Sequence, residues 1–307
     1  MRDQLNTKKC IVLGANGYIG RHLVKRLIVT GLDVKTYDLH DQSQSPEAFY
    51  NRIDITNKDS LNSIDWDVDL VFVFAGITGT YAGFNNYSNY VNINEVGILH
   101  ILDCIRNSRF RPRLIFPSTR LVYKGSEIPI KESDQKEPKT IYAANKLVCE
   151  YLLDIYSNTF DIPYTIYRIC VPYGNFFGSD YSYGTVGAFL NQATKNSCIR
   201  LYGNGELRRT FTHVEDICLQ LIESCSDEKS LNMTFNTIGE NYSLKEVASL
   251  IAHKFNSTIE FIDWPDNDAR IESGSTVFDS STLSNLFNLK LSNSIHNWVS
   301  TLSYLEV

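Results

Sequence analysis

Apolar runs of strand length alternate with amphipathic runs of helix length from the first residues of this chain, and that alternation limits the fold more than any other feature. Cys10-Ile-Val-Leu13 is a short apolar strand. It enters a glycine-rich turn, and residues 21–29 follow with helical periodicity. Residues 34–38 read as a second strand. Residues 69–75 are apolar almost throughout, as a strand covered on both faces of a parallel sheet must be. The pattern then predicts an amphipathic helix over 91–106, a strand over 113–117 followed by Ser118 and Thr119, a helix over 141–157 and a strand over 164–171. Beyond about Pro172 the rhythm changes. A loop rich in Gly, Asn, Tyr and Phe is expected at 173–183. A helix is expected at 243–255, which Ser243 can cap with Glu246 as its reciprocal partner. The chain therefore reads as α/β: a Rossmann-type doubly wound parallel sheet over 1–172, with later segments returning to it, and a smaller interwoven C-terminal lobe over 173–307.

Composition narrows what such a fold can serve. The 307 residues carry a net charge of −6, with 43% hydrophobic and 21% charged residues. An acidic balance argues against nucleic acid, whose phosphates want a basic face. No apolar run is long enough to span a bilayer, and the N-terminus lacks the apolar core of a secretory signal. The seven cysteines (Cys10, Cys104, Cys149, Cys170, Cys198, Cys218, Cys225) are scattered, with no Cys-x-x-Cys, and the histidines show no ligand spacing. We expect buried thiols, no metal and a cytoplasmic protein.

Three features carry chemistry. Gly14-Ala-Asn-Gly17-Tyr-Ile-Gly20 lies between the first strand and the first helix. A dinucleotide pyrophosphate needs a tight turn, close backbone approach and a helix N-terminus, and this segment offers all three. Its Gly-x-x-Gly-x-x-Gly spacing departs from the commoner Gly-x-Gly-x-x-Gly. Asn16, Tyr18 and Ile19 are taken with the glycines as facing the cofactor. Asp38 ends the second strand, where a carboxylate accepts ribose hydroxyls and repels a 2′-phosphate, which favours NAD over NADP. Asp41 is the alternative for that role. The third feature is Tyr142-Ala-Ala-Asn-Lys146, whose ends share a helix face. An ammonium at ~4 Å, at an effective dielectric of ~20, stabilises a phenolate by roughly 4 kcal/mol, or about three pKa units. That makes a tyrosine a usable acid or base.

With these residues in place, the chain resembles the extended short-chain dehydrogenase/reductase family, in particular its NAD-dependent nucleotide-sugar epimerases and dehydratases. Asp54-Ile55 resembles the family's acidic–apolar pair beside the adenine ring. Phe74-Ala75-Gly76 resembles the turn along the cofactor, and Asn94 a structural asparagine three residues before Gly97. Ser118-Thr119 before Val122-Tyr123 resembles the segment that carries the catalytic hydroxyl, which points to Thr119. Tyr142 and Lys146 match the catalytic pair, and residues 168–174 a strand and loop beneath the nicotinamide and the sugar phosphates. Tyr202-Gly-Asn-Gly205, Arg209 and residues 211–216 resemble the diphosphate segment. Arg209 would clamp a phosphate there, with Arg270 as a second candidate. The resemblance implies bound NAD, a nucleotide-diphosphate sugar as substrate, and a homodimer formed through the helices at 91–106 and 141–157. Plainer readings stand beside these. Thr119 can cap a turn, one or both of Arg208 and Arg209 can be solvated, and His213 reads better as a packed or surface residue than as a base.

The departures from the family pattern also inform. Leu13, Lys124, Val171 and Thr210 replace residues frequent at those places. Arg120-Leu121 follows Thr119 where the 4,6-dehydratases of the resemblance carry Asp-Glu. Dehydration needs an acid and a base there, so redox chemistry at the sugar C4 remains. The expectation is an NAD-dependent 4-epimerase. The alternatives are an NAD(P)H-dependent 4-ketoreductase and, from another class, a catalytically silent NAD-binding sensor.

Overall fold

The computed structural model describes residues 8–175, 183–195 and 198–303. Of the loop expected at 173–183, residues 176–182 lie outside the described residues. The chain forms two compact units: Met1–Val122, Pro138–Arg168 and Leu221–Phe235 make the first, and Tyr123–Glu137, Ile169–Gln220 and Asn236–Val307 the second. The division expected at 172 is thus crossed both ways. Residues 123–137 and 169–172 go with the second unit, and 221–235 with the first.

The first unit is built on seven strands: β1 (Lys9–Leu13), β2 (Asp33–Asp38), β3 (Phe49–Arg52), β4 (Leu70–Val73), β5 (Arg113–Thr119), β6 (Tyr164–Ile169) and β10 (Met233–Asn236). Their order is β3-β2-β1-β4-β5-β6-β10. The pairs β3–β2, β2–β1, β1–β4 and β4–β5 are parallel. This is the doubly wound order, and its topological switch lies between β1 and β4. Every residue of β4 and β6 is buried, as their sequences require. The strand β3, polar and largely exposed, has no apolar alternation by which its sequence could announce it. Helices α1 (Tyr18–Val29), α2 (Gly97–Asn107) and α3 (Ile141–Phe160) belong to this unit. The helix α1 starts three residues before the expected 21–29.

Two expected elements are interrupted. The helix predicted over 91–106 is a short helix Tyr87–Val91, a π-turn Asn92–Val96 and then α2. The buried Asn94 side chain bonds both backbone groups of Ile77: Oδ1 accepts from N at 2.9 Å and Nδ2 donates to O at 3.0 Å. A wider turn at that point suits an inserted residue serving a tertiary partner. The strand predicted over 164–171 stops at Ile169. Val171–Tyr173 (β7) then pairs with the strand Arg208–His213 in another sheet. Pro172 lacks an N–H, so an edge position such as β7 holds suits it.

In the second unit, β9 (Arg208–His213) lies between β7 and an antiparallel β11 (Glu240–Ser243). A parallel pair joins β8 (Cys198–Tyr202) and β12 (Thr258–Ile262). Here too the helix Leu244–Lys254 starts at Ser243 with the reciprocal Ser243–Glu246 cap that the sequence predicts. Six of the seven cysteines are buried thiols. Among the described residues, no helix is long and apolar enough to cross a membrane.

Candidate active site

The glycine turn leaves β1 at the switch point, and its three glycines serve three purposes. Gly14 has φ +84°, and a Cβ there would lie 2.3 Å from the Ala75 nitrogen. The close approach of the turn to the end of β4 therefore excludes any side chain. A Cβ on Gly20 would lie 2.1 Å from the Gly14 carbonyl oxygen, so this glycine lets α1 pack onto the turn. Gly17 is the N-cap of α1, with no side-chain cap and no acidic residue in the first turn. The positive end of the helix dipole is thereby left for an external anion. Leu13, Gly14, Asn16, Gly17, Asp38, Asp54, Ile55, Phe74, Ala75 and Gly76 line one cavity of about 400 Å³. Most of the expected cofactor residues thus converge on it. Tyr18, Ile19, Gly20, Tyr142 and Lys146 are not among its lining residues.

Asp38 is 9% exposed at the edge of this cavity. Its Oδ2 accepts the Asn16 backbone N–H at 2.9 Å, and its Oδ1 meets His40 Nδ1 at 2.7 Å. Two carboxylate oxygens offer about four acceptor positions, so capacity for ribose hydroxyls remains. Asp41 is exposed and pairs with Arg52 at 3.5 Å; it does not line the cavity. Asp54 accepts from the Thr56 N–H and hydroxyl at 2.9 and 2.7 Å, which fixes its turn, and Ile55 packs on Gly97. Glycines for the pyrophosphate, an uncapped helix start and a carboxylate at the end of β2 together fit a dinucleotide.

The candidate catalytic residues lie in the same unit. Thr119 is the last residue of β5 and is 6% exposed. Its Oγ1 accepts the Leu121 N–H at 3.3 Å, so it caps the following turn while ending the strand. Tyr142 is half-buried in the first turn of α3, whose N-cap is Thr140. Lys146 is 8% exposed; Nζ donates to the Pro117 carbonyl at 2.7 Å and sits 4.3 Å from the centre of the Phe116 ring. Burial lowers its pKa from 10.5 to about 8, against the opposing pull of Cys149 and Glu150. The cation invoked to tune Tyr142 is therefore itself close to titrating at neutral pH.

A buried network missed by sequence reasoning adjoins this lysine. Glu150, one helical turn beyond Lys146, accepts Arg168 Nε at 2.9 Å, Arg168 Nη2 at 2.5 Å and the Ser118 hydroxyl at 2.5 Å. The pair ties α3 to β5 and β6. Its signal in the sequence was an arginine inside an otherwise uncharged buried strand, Tyr164–Ile169. Asn145 lies between Tyr142 and Lys146 in the chain and donates to Glu95 from the π-turn.

Arg209 and Arg270 belong to the second unit. Arg209 departs from the expected open phosphate clamp. It is 1% exposed; Nη2 bonds Glu272 at 2.6 Å and Nη1 bonds the Gly274 carbonyl at 2.6 Å. Its charge is met inside the protein because burial of a bare guanidinium would be prohibitive. Arg270 is exposed on a short helix, Asp266–Ile271. Arg208 reaches the Asn241 carbonyl at 3.0 Å and Glu246 at 3.3 Å. His213 is packed among Tyr173 and Trp298, in keeping with its structural reading.

The chain is similar to known proteins in sequence and in fold. The model of the NAD dependent epimerase/dehydratase family matches residues 10–232. Protein CapI of Staphylococcus aureus is 29% identical over 226 residues, which cover 68% of this chain and 66% of that protein. A UDP-glucuronate 4-epimerase of Thermodesulfobacterium geofontis is 26% identical over 231 residues, 70% of each chain. The UDP-glucuronic acid 4-epimerase of Bacillus cereus, solved in complex with UDP-glucuronic acid and NAD, shares the fold. Its TM-score is 0.81 at 22% identity, over 95% of this chain and 96% of the other.

Proposed function

The chain belongs to the NAD-dependent epimerase/dehydratase family, and we propose that it is a nucleotide-sugar 4-epimerase. The observation that carries this reading is the end of β5. Thr119 is followed by Arg120 and Leu121, with no carboxylate to run a dehydration, while Tyr142 and the buried Lys146 stand on α3 of the same unit. NAD, when bound, would supply a hydride acceptor and donor for the sugar C4. Tyr142 takes the proton from the C4 hydroxyl and gives it back after the sugar has turned. The Lys146 ammonium favours the phenolate and offers a donor to the nicotinamide ribose. Thr119 donates a hydrogen bond to the developing C4 oxyanion. Gly14, Gly17, Asp38, Asp54, Ile55, Phe74, Ala75 and Gly76 would hold the cofactor, Asp38 meeting the adenosine ribose and the first turn of α1, from Tyr18 to Gly20, meeting the pyrophosphate. Arg209 anchors the diphosphate only by sharing its guanidinium between Glu272 and a phosphate. Arg270 stands as the second, solvent-exposed candidate for that contact.

The relatives' names make UDP-glucuronate the first substrate to try. The expected result is C4 inversion, read by NMR, without added cofactor. Stoichiometric consumption of NAD(P)H with a 4-keto sugar would instead make the protein a ketoreductase. Bound NAD with no turnover across a panel of nucleotide sugars would favour the sensor. We also infer a homodimer through α3, where Val148, Tyr151 and Ile155 are 38%, 60% and 53% exposed along one stripe. On α2, Ile98 and Leu102 are taken up in the core. Sedimentation of Tyr151→Glu at micromolar concentration should give a monomer if this face is the interface.

A further inference from the structure

The segment joining β2 to β3, residues 39–48, has little apolar anchorage. Leu39 is 54% exposed, and Ser45 is the segment's one buried residue. Polar ties must therefore set its path. Three of those ties gather on a single side chain of the glycine turn. Asn16 Nδ2 donates to the Gln42 carbonyl at 2.8 Å and to the Tyr50 hydroxyl at 3.2 Å, and Asn16 Oδ1 accepts the Gln44 N–H at 2.8 Å. Tyr50 in turn donates to the His40 carbonyl at 2.5 Å. Both amide hydrogens and the amide oxygen of Asn16 are thus committed to the segment, which leaves its side chain no donor for a ligand phosphate. Its backbone N–H is spent on Asp38.

The fastened segment forms the wall beside that carboxylate. Leu39 and His40 line the cavity with Asp38. The nearby basic side chains are turned to other work: His40 Nδ1 is on Asp38, while Arg52 donates to the Leu39 carbonyl at 2.9 Å and pairs with Asp41. A ribose 2′-phosphate entering beside Asp38 would need the segment to yield, and would need one of those side chains to be released toward it. We propose that Asn16 is a specificity-determining residue: by strapping residues 40–50 to the glycine turn it holds the 2′ side of the adenosine ribose closed, and so selects NAD against NADP through the segment it fastens. This rests on the cavity being the NAD site and is independent of which sugar is turned over.

The test is the ratio of Kd for NADP to Kd for NAD, measured by titration calorimetry on protein stripped of bound dinucleotide. Asn16→Ala should lower that ratio by roughly tenfold, about what the loss of one or two net hydrogen bonds allows. Most of the change should come from tighter NADP binding. Tyr50→Phe removes the hydroxyl's ties to Asn16 and His40 but leaves Gln42 and Gln44 fastened, and should lower the ratio about threefold by the same reasoning. It also stands in should Asn16→Ala fail to fold. Asn16 as a general structural residue would weaken both dinucleotides by one factor, and an unchanged ratio in both variants overturns the proposal. Wild-type protein that binds neither dinucleotide overturns the cofactor site itself. Failure of C4 inversion with the ratio changed as expected overturns the epimerase reading alone.

Discussion

At the glycine turn the first unit keeps side chains away, whereas at the base of α3 it packs charged ones into its interior. Gly14, Gly17 and Gly20 leave backbone and a helix end for a ligand, and the polar ties around Asn16 and Asp38 lie near solvent. Glu150, Arg168, Lys146 and Ser118 are all under 9% exposed and satisfy one another or nearby backbone. The contrast teaches that the two ends should fail differently. A change at the turn alters which ligand is held. A change at the base of α3 alters whether the site forms, and its chemical effect must be separated from its folding effect.

The largest effect should come from Glu150→Ala. It leaves the Arg168 guanidinium buried without its carboxylate, which costs roughly 3–5 kcal/mol. Chemical denaturation should show the loss in full, and a variant that loses less than about 1 kcal/mol would break the comparison. Tyr142→Phe should do the reverse. It removes the proposed acid–base group, so turnover should fall roughly a thousandfold while the melting temperature and NAD affinity hold. Surviving turnover would remove Tyr142 from the mechanism.

Lys146 stands between these cases because it is both buried and chemical. Its folded pKa of about 8 lies below the ordinary 10.5. Between those values the unfolded chain binds the proton that the folded one has released, so stability rises with pH across the window; below it, the full cost of burying the charge is present. Relative to Lys146→Met, wild type should gain roughly 2 kcal/mol from about pH 7.5 to about pH 10. Turnover should move the other way, falling as the ammonium beside the phenol is lost above about pH 8. A flat difference in stability across that range would mean that Lys146 stays charged in the fold.

How far each end could be read from sequence follows from the same contrast. The turn was legible because strand, glycines and helix are contiguous, and Asp38 follows its strand directly. Tyr142 and Lys146 were legible because helical spacing alone brings them to one face. What escaped depends on partners distant in the chain. The π-turn at Asn92–Val96 goes with Asn94 reaching back to Ile77. Arg209 finds Glu272 sixty-three positions on, and that turns an expected open clamp into a buried pair. Asn16 was legible as part of the turn, but its hold on Gln42, Gln44 and Tyr50 needed the path of an exposed segment that no apolar pattern specifies.

The smallest effect tests the contrast most cleanly, because it sets two single hydrogen-bonding side chains against each other. Ser118→Ala removes one buried donor to Glu150 and leaves the Arg168 pair in place. A hydrogen bond to a charged acceptor is worth about 1.5–3 kcal/mol, and the carboxylate keeps its other donors, so the loss should fall near the low end. Thr119 is the next residue on β5, so kcat should drop several-fold as the strand end loosens, while the NAD-to-NADP preference should not move. Asn16→Ala should give the mirror image: a shifted preference with little change in kcat for the NAD-loaded enzyme. If Ser118→Ala shifted the preference, or Asn16→Ala lowered kcat at saturating NAD as much as Ser118→Ala does, the two ends would be one mechanical unit. The division of labour between an open turn and a packed helix base would then fail.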